Sequence, residues 1–403
     1  MPFARTTPLR SQLEAALPER PFTVRFWDGT DLPATSGNGN GPTFTVHSPK
    51  AVGHALRAPG QLGLGRAYVS GELAIDDIDK VIELLATWQP PPVDRATQAK
   101  LALAAAQAAG IQKPPTPPRA ELRPRGKRHT VARDARSVRH HYDVGNEFFS
   151  LFLDASMTYS CAIFESPDQS LEDAQANKRE TVCRKLALKP GERMLDVGCG
   201  WGSLAVHAAE HHGVHVTGIT LSEPQAQKAR DRAAEHGVAD KVEIRVMDYR
   251  ELQNERYDAI ASIGMVEHVG AANIDRYARG LAGLLDSGGR LLNHGISRLR
   301  HGDAEAGPFS ERYVFPDAAP LHLSRILYAL EATGFEPDHV EGYREHYERT
   351  LTHWANNLDA NLPRAEQIAG AERLRVWRLY VRAARSGFRT GFTSIYQVRA
   401  VKA

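Results

Sequence analysis

The run Arg193-Met194-Leu195-Asp196-Val197-Gly198-Cys199-Gly200-Trp201-Gly202 decides the fold. Its first half is a short apolar run, as a buried strand requires. Its second half puts glycines at alternate positions, and SLAVHAAEHHG, which follows, has helical spacing. Glycine is needed where backbone must approach a ligand closely or adopt a positive φ. A bare G-x-G is explained most often by a structural turn. Here a strand precedes it, an acid stands two residues ahead of the first glycine, and a helix follows, which is the context a nucleotide-type loop demands. Working outward, VHVTGI reads as a strand and EPQAQKARDRAAEHG as a helix closed by Gly237. KVEIRVMD and YDAIASIG read as strands, IDRYARGLAGLLDSGG as a helix, and RLLNHGIS as a strand. FTSIYQVRAVKA alternates and reads as a final antiparallel strand. This alternation predicts an α/β fold with a mostly parallel, doubly wound sheet.

The glycine spacing differs from the G-x-G-x-x-G of a dinucleotide site and matches the E/D-x-G-x-G-x-G of class I, Rossmann-like methyltransferases. Their cofactor has a methionine tail and no pyrophosphate. Gly198 and Gly200 then let backbone approach it, and Asp196 holds the loop or the methionine amino group. The second strand ends Gly218-Ile219-Thr220-Leu221-Ser222, without the ribose-binding acid of many nucleotide folds. Backbone at Thr220 and Leu221, with Gln225, can serve the ribose instead. Asp248 and Tyr249 follow the third strand, where methyltransferases contact the adenine. The same pair also reads as a helix N-cap followed by a core aromatic.

The chain has 403 residues, 42% hydrophobic and 24% charged, which suits two globular domains. A net charge of +2 gives no reason to expect nucleic acid as a partner. Three cysteines form no disulfide framework, lack zinc-site spacing and fit a reducing cytosol. No segment has a signal-peptide core or the roughly 20 apolar residues of a membrane span, so a cytoplasmic protein, peripheral at the membrane, is expected. Residues 1–92 read as a small N-terminal α+β module. In it PFTVRFWDG is a strand and turn, PTFTVHSP the returning strand, Ser48 a helix N-cap, and IDDIDKVIELLATW a helix after a Gly-rich stretch. Residues 93–137 hold an Ala-rich helix and a Pro-rich linker with eight Arg or Lys from Arg119 to Arg139. Such a run is a solvated tether, or a contact with anionic phospholipid in which each basic residue contributes about 1 kcal/mol. Residues 138–403 form the catalytic domain.

Several runs occur together and in order: RHHYDVGNEFFSLFLDASMTYSCAIF, LDVGCGWG, GITLS-x-x-Q, SIGMVEHVG, LLNHGIS, RYVFPD and HYERTLTHW. In these the chain resembles the cyclopropane fatty acid synthase family, including mycolic acid cyclopropane synthases and actinobacterial fatty acid methyltransferases that make 10-methylene chains. The resemblance implies S-adenosylmethionine as methyl donor and bicarbonate as base. It assigns the bicarbonate to Glu267, His294, Ile296, Tyr347 and Cys161, the last through its backbone, and sets Tyr159 and Ser160 at the cofactor. Glu267 follows the fourth strand and His294 ends the fifth, so both are expected to face the carboxyl edge of the sheet, where ligands bind. The Cys161 thiol, with no activator nearby in sequence, reads as inert.

The implied substrate is the cis double bond of an unsaturated acyl chain in a membrane phospholipid. An alkene is a weak nucleophile, so the sulfonium methyl must be held in line with it. Water must be excluded from the resulting carbocation. Proton loss from the new methyl closes a cyclopropane ring; a hydride shift first gives an exocyclic methylene, the precursor of tuberculostearic acid. A homodimer, and a separate reductase for a methylene product, are partners the resemblance leaves open. A small-molecule or sterol methyltransferase would not need the N-terminal module or the bicarbonate set. A non-catalytic lipid-binding protein would not need Gly198, Gly200, Glu267, His294 and Tyr347 intact.

Overall fold

A computed structural model describes residues 6–37, 39–110, 113–122, 126, 130, 133–134, 136, 141–142, 144–300 and 307–403. The chain forms two compact units. One comprises Met1–Arg123, Gly307–Val314 and Ala369–Ser386; the other comprises Pro124–Ala306, Phe315–Ile368 and Gly387–Ala403.

The first unit holds a four-stranded sheet of β1 (Thr23–Arg25), β2 (Asp31–Leu32), β3 (Thr43–Val46) and β4 (Leu73–Ile75), in the order β2-β1-β3-β4. The strand that returns beside β1 is β2, not the expected PTFTVHSP segment. A tight turn at Asp28-Gly29, in which Phe26 N–H donates to Thr30 O at 2.9 Å, brings β2 back at once. β3 takes the other edge of β1 and runs parallel to it. Ser48 caps the helix Pro49–Arg57 as expected, its side chain accepting from Lys50 N. The Gly-rich stretch is itself a helix, Gln61–Ser70. Each glycine within a helix costs about 1 kcal/mol against alanine, and packing is the reason they are there. A Cβ at Gly63 would stand 2.3 Å from Ala58 O, and one at Gly65 would stand 2.5 Å from the Phe309 ring. The Ala-rich helix Arg95–Ala109 buries Ala104, Ala105 and Ala108 with Leu9, Phe26 and Leu32. Later segments of the chain are tied into the same unit. Glu121 accepts from Arg66 and from Tyr313 OH, while Arg375 donates to Val69 O and Arg382 to Asp79.

The second unit is built on β5 (Arg193–Val197), β6 (His215–Thr220), β7 (Val242–Val246), β8 (Tyr257–Ile263), β9 (Leu285–Arg298), β10 (Leu321–His322), β11 (Phe335–Gly342) and β12 (Thr393–Lys402). Their order is β11-β12-β9-β8-β5-β6-β7, with β10 paired to β9. β5 to β9 are parallel, and β12 is antiparallel to both β9 and β11, as the sequence predicts. β5 is buried on both faces because helices cover both sides of a parallel sheet. Its Leu195 is wholly buried, and truncation to alanine would cost about 2–5 kcal/mol. The helix Ile274–Gly283 shows how one stripe docks: Ile274, Tyr277, Ala278, Leu281 and Ala282 are buried at helical spacing. β5 pairs with β6 on one side and β8 on the other, so strand order reverses there and a crevice opens at the carboxyl ends.

Candidate active site

That crevice is a cavity open to solvent at its mouth. All ten residues expected at the cofactor line it: Tyr159, Ser160, Asp196, Gly198, Gly200, Thr220, Leu221, Gln225, Asp248 and Tyr249. The loop after β5 is held by backbone, since Gly198 N–H and Cys199 N–H both donate to Ile219 O. This leaves Asp196 available, and its Oδ2 has no partner among the described residues. Burial pushes its carboxyl up to about 7, against the opposing pull of Lys178. A Cβ built at Gly200 would meet no protein atom within 4 Å. An orphaned buried carboxylate oxygen beside open space above a glycine fits a ligand carrying an amino group, as the methionine tail of S-adenosylmethionine does. Thr220 Oγ1 donates to Gln225 Oε1 at 2.8 Å, fixing that buried amide in the cavity wall. Asp248 is both an N-cap and a cavity wall. Its carboxylate accepts from Arg250 N and from the Arg250 guanidinium at 2.6 and 2.7 Å. The Tyr249 ring packs edge-on against Tyr277 and still faces the cavity.

Aromatic rings of Tyr142, Tyr159 and Trp201 also line the cavity, and Phe149 packs against them. Phe149 lies 5.3 Å from Tyr159 and 5.1 Å from Trp201, and Trp201 lies 5.8 Å from Tyr142. The loop carrying Tyr159 and Ser160 is pinned from the helix Leu171–Lys185. Gln175 Nε2 donates to Thr158 O and Ser160 O, and Lys178 Nζ donates to Ser160 Oγ at 2.8 Å. Burial pulls the Lys178 ammonium down to about 8.

The five residues expected to act as the base site do not line this cavity; Glu267, His294, Cys161 and Tyr347 are buried, and Ile296 is half-buried. Glu267 lies in the single helical turn Val266–Val269 after β8, and burial pushes its carboxyl up to about 7. The N–H groups of Glu267 and Ile296 bond to it and act the other way. His294, on β9, is held well below its ordinary range by burial first, then by Lys178 and Lys185. Glu267 Oε2 and His294 Nε2 are both buried without a partner among the described residues. Lys178 lies on the cavity wall, and its charge also reaches His294 and Cys161, which connects the two sites. Cys161 is wholly buried, its Sγ directed at Ala162 O and Tyr343 O, and burial drives its thiol far up. Tyr347, on the helix Arg344–Ala360, joins at one remove. It packs edge-on against Trp354, which stacks on Tyr159 at 5.1 Å.

Sequence reasoning missed Gln175, Lys178, Lys185 and Gln397. Gln175, Lys178 and Val182 share one helical face, but a polar helix face reads as solvated when no alternation marks burial. Of the basic linker, Arg123, Arg125, Lys127, Arg128 and Arg139 lie outside the described residues. Arg133 is committed elsewhere, bonding Asp317 through two nitrogens at 2.5 and 2.6 Å. Among the described residues Cys183, His207 and His212 bring possible metal-donor atoms within 4.8 Å of one another. Both imidazole Nε2 atoms are already bonded to Glu180 Oε2, and burial raises the Cys183 thiol.

Residues 129–398 match the mycolic acid cyclopropane synthetase family. A probable fatty acid methyltransferase of Pseudomonas putida is 37% identical over 95% of this chain and 92% of its own. The cyclopropane-fatty-acyl-phospholipid synthase of Escherichia coli is 32% identical over 90% of this chain and 88% of its own. The crystal structure of a mycolic acid cyclopropane synthase complexed with S-adenosylhomocysteine and CTAB superposes with a TM-score of 0.63 at 31% identity, covering 66% of this chain and 98% of that one.

Proposed function

As the chain belongs to the mycolic acid cyclopropane synthetase family, we propose that it methylates the cis double bond of an unsaturated acyl chain in a membrane phospholipid. It is an S-adenosylmethionine-dependent methyltransferase of lipid acyl chains. In our reading bicarbonate is the base and a cyclopropane ring the product. The observation that carries this reading is the pair of orphaned buried polar atoms, Glu267 Oε2 and His294 Nε2, beside the cofactor cavity. Buried polar atoms without partners are costly, so a ligand that satisfies both explains why they persist.

Bound there, the two small molecules supply an electrophilic methyl and an acceptor for the proton that the methylated chain loses. Asp196 orients the methionine amino group, and Gln225, Asp248 and Tyr249 hold the nucleoside. The rings of Tyr142, Tyr159 and Trp201, packed against Phe149, exclude water and present ring faces that favour positive charge. Burial pushes the Glu267 carboxyl up to about 7 and favours the neutral imidazole of His294, so the two hold the anion with less opposing charge than an ordinary carboxylate would bring. Ile296 contributes backbone, Tyr347 a hydroxyl, and Cys161 backbone rather than thiol chemistry.

No helix among the described residues is long and apolar enough to cross a membrane. Delivery to the bilayer in this reading is by peripheral contact, through the basic linker and through exposed Leu64, Leu85 and Leu103 of the first unit. The test is lipid mass spectrometry of bacteria expressing the protein, with NMR of the product. A gain of one CH2 per acyl chain with ring-proton signals is expected. Vinylidene signals would give the methylene product instead, and no gain from a form that binds the methyl donor would refute the lipid reading.

A further inference from the structure

Three residues stand in one cross-strand row. Glu341 of β11 lies opposite Gln397 of β12, and Gln397 lies opposite His294 of β9. Directly opposed residues project to the same face of a sheet, so their side chains meet. Lys185, the last residue of its helix, reaches this row. Its Nζ donates to Gln397 Oε1 at 2.7 Å and to Tyr343 OH at 3.0 Å, and pairs with the Glu341 carboxylate. Glu341 also accepts from Tyr343 OH at 2.6 Å. Gln397 is fully buried, so water does not compete for its amide.

The donor inventory then fixes every proton in the row. An ammonium has donors only, so the amide oxygen of Gln397 faces Lys185 and its NH2 group is turned towards His294. Gln397 Nε2 stands 3.3 Å from His294 Nδ1. An amide NH2 cannot accept, so Nδ1 carries the lone pair. A neutral imidazole has one proton, and it is left to Nε2, the nitrogen with no partner among the described residues.

We propose that Lys185 and Gln397 are positioning residues that lock His294 as its Nε2–H tautomer, so that His294 offers a hydrogen-bond donor, not a base, to the anion beside the cofactor. This rests on the reading of Glu267 and His294 as an anion site. It also deepens that reading: the proton leaving the methylated chain does not go to His294, whose outward nitrogen is already protonated.

Nitrogen-15 NMR of the full chain with labelled histidine tests the lock directly, with His294 assigned by signals lost in His294→Asn. Nε2 should be protonated and Nδ1 bare between about pH 6 and 8; a protonated Nδ1 overturns the proposal. Gln397→Leu removes the donor, and Lys185→Met frees the amide to rotate. Each should give mixed tautomers and at least about ten-fold lower kcat, with donor affinity within about two-fold of wild type. Lys185→Arg restores a donor to Oε1 and should recover most of the turnover. If Gln397→Leu does not fold, Lys185→Met at the edge of the row carries the same readout. Unchanged tautomer ratios in these variants overturn the relay. A wild type that is Nε2–H yet turns over equally with and without bicarbonate upholds the lock and refutes the anion reading, so the two failures are distinguishable.

Discussion

Gly200→Val separates the cofactor loop's ligand role from its structural one. Gly200 has φ +54°, and its missing Cβ would meet nothing within 4 Å. A Cβ there clashes with no part of the protein. The left-handed backbone is then the main stability cost, about 1–3 kcal/mol for a β-branched residue. Domains are commonly stable by about 5–15 kcal/mol, so the variant stays folded. Its two methyl groups project into the space the donor's methionine portion needs, and affinity should fall at least about 100-fold, or roughly 2.7 kcal/mol. Gly200→Ala shares the backbone cost with a smaller obstruction and should lie between. Gly202→Ala is the control: its Cβ would stand 2.8 Å from Ala229 Cβ, against a neighbouring helix, so it should lose stability in preference to affinity. Calorimetric titration with S-adenosylmethionine, beside thermal melts, measures both. A folded Gly200→Val protein with wild-type donor affinity would refute the reasoning.

Four further outcomes are expected. Glu267→Gln and Tyr347→Phe should lower kcat far more than donor affinity, and wild-type turnover should slow when buffers are stripped of bicarbonate; steady-state kinetics decide. Because burial raises the Glu267 carboxyl from 4.5 to about 7, the native state binds that proton more tightly than the unfolded chain, so stability falls as pH rises across that window. Ligand-free Glu267→Gln should thus melt above wild type at pH 8 and level with it at pH 4, by up to roughly 3 kcal/mol at about 1.4 kcal/mol per unit. All three cysteines are buried with raised thiols, so a thiol reagent should modify folded protein many-fold more slowly than unfolded protein, with Cys199 on the cavity wall shielded further by the donor. Replacing Arg123, Arg125, Lys127 and Arg128 with Gln should weaken sedimentation with anionic vesicles at low salt, where charge contacts are least screened, and leave donor affinity unchanged.

What was legible in the sequence was whatever repeats a local rule. The order strand, glycine turn, helix located Asp196, Gly198 and Gly200 because close approach of backbone to ligand restricts residue type locally. Short strand-like runs set between helical patterns located β5 to β9, and alternation located β12. The helix Gln61–Ser70 was illegible because its glycines answer to Ala58 and Phe309, neighbours that composition does not reveal. β2 was missed because two residues after a tight turn are too short to show alternation. Gln397 was the hardest: it sits in an ordinary alternating strand, and its meaning comes from the residues that register sets opposite it, His294 and Glu341. Lys178 and Lys185 are polar residues on a charged helix, and only the tertiary fold buries Lys178 or aims Lys185.

The first unit is visited by the chain three times, the second and third within the span shared with the synthetase family. It is therefore not a prefix that can be cut away or traded. Deleting residues 1–123 would strip Phe309 of the Gly65 surface, Tyr313 of Glu121, Arg375 of the Val69 carbonyl and Arg382 of Asp79. A single recombination breakpoint near residue 123 would hand a new N-terminal piece to docking segments fitted to the old one. Gain or loss of this unit during descent thus requires matched change at sites far apart in the gene, and chimaeras between family members should exchange all three segments together.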